Sequence, residues 1–290
     1  MKKIDVCINV FGKTYQTIVT LKTLLKHSGQ HIDKIYFIEE LEQKSDYNFD
    51  FIYKNFNYCD LIMYIPKYYF WVNGTDKKII WKDEDYRLSL RYEYGLTNSD
   101  KSHLLLIHND VVFHSDIIGK FLEINENYFG IGLVGQCWNC PLYYENFCSG
   151  EKLESNLENQ NFHHIFGLVD KHPNTRLYKR RTSIDINKPL PLSECRINEW
   201  CMMVNLDFYR KEVINEKNIV PLGGYFLGDI GDLWFRQMID KGYKFKNINI
   251  DNYYTHAYFS NNANGHSALF DQNKYDLEES LAKKYLEENF

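Results

Sequence analysis

The run Leu104-Leu105-Leu106-Ile107 is unbroken and apolar, and it stops at His108-Asn109-Asp110. Four consecutive apolar residues fit a strand buried on both faces. A carboxylate at the end of such a strand is a natural holder for Mg²⁺ or Mn²⁺, and the ion would in turn neutralise a diphosphate. Two other apolar runs end in polar or aromatic groups: the first at Asn9 and Phe11, the second at Glu39-Glu40. Loops at the ends of parallel strands converge on one edge of the sheet. The three clusters therefore imply a nucleotide-type ligand lying across that edge, touched by Asn9, Phe11, Glu39, Asn109 and Asp110. Arg87 and Arg91 lie one helical turn apart and either pair with phosphate oxygens or form a solvated helix side.

A second kind of chemistry is written in the cysteines. The chain has seven, an odd number. Cys7 and Cys59 are isolated and read as small hydrophobes. Cys137 and Cys140 form a C-x2-C turn, and Cys148 and Cys195 follow, with Cys201 beyond them. A tetrahedral Zn²⁺ site needs four such ligands. Cys137, Cys140, Cys148 and Cys195 are the candidates, and an ion there would clamp the irregular stretch 150–195 to the sheet. Free thiols are the alternative, and spacing alone leaves the two open.

The elements that must position these groups alternate. Residues 4–11 read as a strand. A helix then starts with Thr14 as N-cap, carries Ile18, Leu21 and Leu25 on one side, and closes at Gly29. Further strands are expected at 35–38, 61–65, 104–107, 131–134 and 245–250, with helices over 86–96, after Asp232 and over 276–290. The last of these has an apolar side of Leu277, Leu281, Tyr285 and Leu286. Strand–helix–strand alternation is the sign of a parallel α/β sheet. Between 150 and 195 the pattern dissolves into polar residues with three prolines. The basic run Arg176, Lys179, Arg180 and Arg181 inside it could grip an acidic acceptor, a lipid-linked diphosphate or the leaving nucleotide, but a solvated loop is the favoured reading. No Gly/Ser linker divides the 290 residues, so one domain spanning 1–290 is the simplest account.

Lys+Arg 34 against Asp+Glu 39 leaves a net charge of −5, which disfavours nucleic acid as a partner because phosphate neutralisation needs a basic surface. Aromatic residues make up 16%, enough to serve both a core and sugar platforms. No stretch approaches the ~18 apolar residues of a membrane span, and Asp5 and Asn9 interrupt any leader-like run. The expectation is a cytoplasmic protein with room for peripheral contact at the inner face of the membrane. The sequon Asn73-Gly74-Thr75 is then a chance match.

Two stretches resemble the GT-A glycosyltransferases, specifically the inverting family-2-like group. Residues 95–111 are similar to that family's passage from a Gly-ended helix into a strand closed by a DxD motif. Residues 223–243 resemble its acceptor-side motif, an acidic pair followed by D-L-x-x-R and then G-Y; here these are Asp229-Ile230, Asp232 to Arg236 and Gly242-Tyr243. Residues 198–210 resemble the segment that precedes it. The likeness departs from the family at His108-Asn109-Asp110, where one acid of the DxD remains, and at Asp229, which stands without a second acid.

The resemblance implies a mostly parallel central sheet flanked by helices, with a long irregular insertion. It also implies a nucleotide-sugar donor and a glycan or lipid-linked acceptor in polysaccharide or glycoconjugate biosynthesis. Asp229 would be the general base and Asp110 the metal or diphosphate ligand. His256, and less directly His266, would complete a Mn²⁺ or Mg²⁺ site. Asp232 and Arg236 are expected to form a structural ion pair at i, i+4. Two rival readings are a catalytically silent nucleotide-sugar-binding relative and a nucleotidyltransferase on a similar scaffold. No P-loop, dinucleotide fingerprint or G-x-S-x-G elbow is present.

Overall fold

A computed structural model describes residues 3–69, 74–124, 127–260 and 270–290. His266 and Asn73 lie outside the described residues. The strands are β1 (Ile4–Val10), β2 (Ile32–Glu39), β3 (Leu61–Tyr64), β4 (His103–Ile107), β5 (Val111–Phe113), β6 (Gly130–Val134), β7 (Ile197–Asn205), β8 (Phe245–Asn247) and β9 (Tyr254–His256), of which β5 and β9 were not expected. Seven of them form one sheet in the order β3-β2-β1-β4-β7-β6-β8, while β5 and β9 pair separately. All pairs in the large sheet are parallel except those of β7, which runs antiparallel to both β4 and β6. This is the mostly parallel α/β architecture that the GT-A resemblance implies.

Hydrophobic cores fill both faces of the sheet. The four residues Leu104 to Ile107 are fully buried, as a central strand covered on both sides requires. On one face, Ile18, Leu21 and Leu24 of the helix Thr14–Ser28 pack with alternate residues of β1 and β4. On the other, the helix Asp232–Asp240 contributes Trp234, Phe235 and Met238.

Several local expectations change. Thr14 does not cap the first helix; Lys13 stands at that position with left-handed backbone, φ 56°. The free N–H groups of Tyr15 and Gln16 instead donate to the carboxylate of Glu279, at 2.8 and 3.2 Å, from the C-terminal helix Gln272–Asn289. A carboxylate there satisfies the open donors and the positive end of the helix dipole. That docking also sets which side of the C-terminal helix is buried. Tyr275, Glu278, Glu279 and Ala282 face inward, whereas Leu277 and Leu281 are exposed. The helix expected over 86–96 is two, Glu84–Leu88 and Glu93–Asn98, separated where Tyr92 takes φ 65°. The 150–195 excursion holds short helices at Leu153–Asn156, Phe162–Asp170 and Arg176–Lys179, and Ile165, Val169 and Leu177 join the core. Among the described residues no helix is long and apolar enough to cross a membrane.

Candidate active site

A cleft of about 650 Å³ opens at the ends of β1, β2 and β4, closed on its far side by β7 and the segment before the helix Asp232–Asp240. Asp110 and Asp229 both line it, as do Asn9, Phe11, Arg91, Asn109 and His256.

The floor is built by β4. Beyond Ile107 the His108 N–H still donates to the Trp200 carbonyl of β7, at 3.1 Å, so the strand end is held rigidly. The chain then enters β5, whose Val111 stands opposite His256 in β9. This register brings His256 Nε2 to 3.4 Å from Asp110 Oδ1. His108 Nδ1 approaches the same oxygen at 3.8 Å. The other carboxylate oxygen, Oδ2, accepts from Lys13 Nζ at 2.7 Å. Both partners of that pair are buried. Burial alone would raise the Asp110 carboxyl, but the Lys13 ammonium and the two imidazoles outweigh it and hold it well below the usual carboxylate range. Lys13 reaches this position because Gly12 and Lys13 both take positive φ, 59° and 56°, turning the chain sharply after β1.

The wall at the sheet's β1–β2 side carries Asn9, whose amide donates to Glu40 Oε1 at 2.7 Å. Glu40, not Glu39, lines the cleft. Successive side chains of a strand point to opposite faces, and Glu39 turns away to Tyr47. Burial raises the Glu40 carboxyl, opposed by Arg91 and the Asn9 amide. Arg91 and Arg87 part company at the Tyr92 break: Arg91 faces the cleft, while Arg87 donates to Thr97 Oγ1 and Glu84 and cannot share a phosphate with it.

The opposite wall holds Asp229. Its Oδ2 lies 3.2 Å from Arg196 and 3.5 Å from Arg176. Arg196 is buried and also bonds Glu199 Oε2 at 3.0 Å and the Ile230 carbonyl at 2.7 Å. Arg176 is tied to both oxygens of Glu194. The basic run is therefore not simply a solvated loop: Arg176 belongs to the cleft, and Arg180 donates to the Gly228 carbonyl. Asp232 and Arg236 do not pair. Asp232 accepts the backbone N–H groups of Gly228, Asp229 and Leu233, fixing the turn that presents Asp229, and Arg236 donates to the Lys188 carbonyl. Trp200 stacks on His256 with ring centroids 4.4 Å apart, and Trp138 stacks on Trp200 at 5.6 Å, giving the cleft an aromatic flank.

His108, Asp110 and His256 each offer a ligand atom within 4.8 Å of the others. Asp110 Oδ1 and His256 Nε2 are buried without a hydrogen-bond partner, while His108 turns Nδ1 to the same Asp110 oxygen and Nε2 toward Glu199 Oε1, 3.7 Å away. Unsatisfied buried polar atoms are costly, and two imidazoles with one carboxylate are competent donors for a first-row divalent cation. The residues fit such an ion, with His108 as a donor that the sequence reading passed over. Lys13, Arg196 and Trp200 were also not anticipated, and Arg176 only as one of a basic run. The Gly12-Lys13 pair directly after a strand was the available signal for Lys13.

The four candidate cysteines do come together, around a small void beside β6 and β7. All are free thiols, and burial raises each of them, Cys140 to about 12.

No protein-family model matches the chain, and no curated protein matches it in sequence. Among solved structures it is similar to apo mouse xyloside xylosyltransferase 1, at 12% identity and TM-score 0.46 over 86% of each chain. It is also similar to core-mannan synthase A from Aspergillus fumigatus in its Mn/GDP form, at 13% identity and TM-score 0.44 over 88% of this chain and 75% of that one. A third is S. aureus TarS 1-349, at 11% identity and TM-score 0.44 over 96% of this chain and 70% of that one. These are remote likenesses.

Proposed function

We propose that this protein is an inverting glycosyltransferase acting on a nucleoside-diphosphate sugar. The observation that supports it is the pairing of a cation-competent trio at the end of β4 with a carboxylate on the facing wall of one cleft. The nucleotide lies along Asn9, Phe11, Glu40 and Arg91. The diphosphate lies toward Lys13, Asn109 and the trio of His108, Asp110 and His256, which would hold Mn²⁺ or Mg²⁺. When bound, that ion supplies positive charge against the leaving diphosphate. Asp229 acts as general base, taking the proton of the acceptor hydroxyl as its oxygen attacks the anomeric carbon from the side opposite the nucleotide. The bond from that carbon to the phosphate oxygen breaks, and its electron pair leaves with the diphosphate. The acceptor is a glycan hydroxyl, free or lipid-linked, in polysaccharide or glycoconjugate assembly.

One observation favours a second reading. Asp229 is already shared between two guanidinium groups, which suits a carboxylate held for structure in a silent nucleotide-sugar-binding relative. A thermal-shift panel of nucleotide sugars with and without Mn²⁺ tests the common ground, since a ligand that binds only the folded state raises its melting point. Asp229→Asn then separates the two readings. Loss of transfer with the donor shift retained supports the base, transfer at the wild-type rate removes Asp229 from the chemistry, and a panel that shifts nothing sinks both.

A further inference from the structure

Cys137, Cys140, Cys148 and Cys195 belong to separate turns: the 3₁₀ turn Cys137–Asn139 and the residue that follows it, the bend before the helix Leu153–Asn156, and the approach to β7. The fold gathers them around one void of about 10 Å³. Four of the side chains that line this small pocket carry sulfur, set among the apolar Val134, Leu142 and Leu153. Two glycines allow the turns to close around it. A Cβ at Gly135 would stand 2.8 Å from Cys137 Sγ, and one at Gly150 would stand 2.3 Å from the Val134 carbonyl oxygen. Cys7 and Cys201, by contrast, sit singly in β1 and β7 as buried strand residues.

We propose that Cys137, Cys140, Cys148 and Cys195 form a tetrathiolate site for one structural Zn²⁺, distinct from the trio of His108, Asp110 and His256. Four thiolates in a tetrahedron are a closed structural zinc set. Zn–S bonds are about 2.3 Å long. The four sulfurs therefore have to draw inward, by side-chain rotation, to bind one ion. As they stand the thiols surround the void without closing on it: the trio is the one group of three or more such ligands within 4.8 Å among the described residues. Binding releases the thiol protons to solvent and changes no oxidation state.

The consequence for the cleft follows from sequence adjacency. Gln136 and Trp138 flank Cys137, and Glu194 and Arg196 flank Cys195. Gln136, Trp138 and Arg196 line the cleft, and Glu194 anchors Arg176. The ion would cross-link the two stretches that carry the Asp229 wall.

The test uses the full chain, produced in zinc-supplemented medium, purified without chelators and kept reduced. Elemental analysis is expected to give about one zinc per chain, and a strong chelator is expected to lower the melting point. Exchange of zinc for Co²⁺ is expected to give an intense tetrahedral visible spectrum with a thiolate-to-cobalt charge-transfer band. That signature cannot arise at the imidazole and carboxylate trio. Cys140→Ser and Cys195→Ser should lose zinc while Cys59→Ser keeps it. Should the cysteine variants fail to fold, the cobalt spectrum of the wild-type chain still decides. Less than half an equivalent of zinc after reconstitution, a cobalt spectrum without the charge-transfer band, or two disulfides among the four cysteines by mass spectrometry would each overturn the proposal.

Discussion

Glu93 is fully buried beneath the Arg91 side of the cleft, and it makes folding stability depend on pH in a calculable way. Its Oε1 accepts from the Tyr209 hydroxyl and, at 3.2 Å, from the Gly223 N–H. Arg87 lies 3.9 Å from Oε2. Burial raises the carboxyl from 4.5 to about 7, against the Tyr209, Arg87, Gly223 and Leu222 contributions that lower it. A raised acid binds its proton more tightly when folded. Its stabilising contribution is therefore complete below pH 4.5, fades between 4.5 and about 7, and is absent above that. The difference is roughly 3 kcal/mol. Glu93→Gln keeps the carbonyl acceptor for Tyr209 and Gly223 and cannot ionise. The variant should match the wild type near pH 4.5 and exceed it at pH 8 by up to roughly 3 kcal/mol, or about 5 °C in melting point for a chain of this size. Urea unfolding of both proteins across this range is the assay. Parallel stability profiles for the two, with no divergence as the pH rises, would refute the buried-acid reasoning.

Asp110→Asn strands the Lys13 ammonium in the interior. Removing one partner of a buried pair costs about 3–5 kcal/mol, so the melting point should drop sharply and the Mn²⁺-dependent part of any nucleotide-sugar shift should vanish; an unchanged melting profile would mean the pair is not formed. Gly223→Ala places a Cβ 1.9 Å from the Arg91 carbonyl oxygen. The two segments must then separate, at about 1–3 kcal/mol. Because Arg91 faces the cleft, donor affinity in a titration should fall further than stability alone explains, and an unaltered affinity would show that the contact does not set Arg91.

The sequence made β1, β2, β3, β4 and β6 legible because they are apolar runs, with β4 the clearest, whereas the three-residue strands β5 and β9 carry too short a pattern to be read. It placed Asp110 at the sheet edge because parallel strands deliver their ends to one side, whereas His256 was named through the family resemblance alone, and its place beside Asp110 comes from the antiparallel pairing of β9 with β5. The direction of β7 was hidden, since its nine buried residues read the same whether parallel or antiparallel. The capping of the first helix by Glu279 was hidden too: no local pattern reports a partner more than two hundred residues away. Arg176 looked like part of a solvated run because charge content carries no sign of the Glu194 that holds it. Glu39 was expected in the cleft where Glu40 stands, because a one-residue difference at a strand end reverses the direction in which a side chain points.

The helix Gln272–Asn289 closes the turn that delivers Lys13: Tyr275 accepts from the Lys13 N–H at 3.0 Å while Glu279 caps the helix that follows. During synthesis from the N-terminus, β1 and its turn leave the ribosome long before that helix does. The Lys13 turn is therefore completed only once that helix has been made, and a nascent chain still lacking it holds the Lys13–Asp110 pair without the Tyr275 and Glu279 contacts that brace the turn.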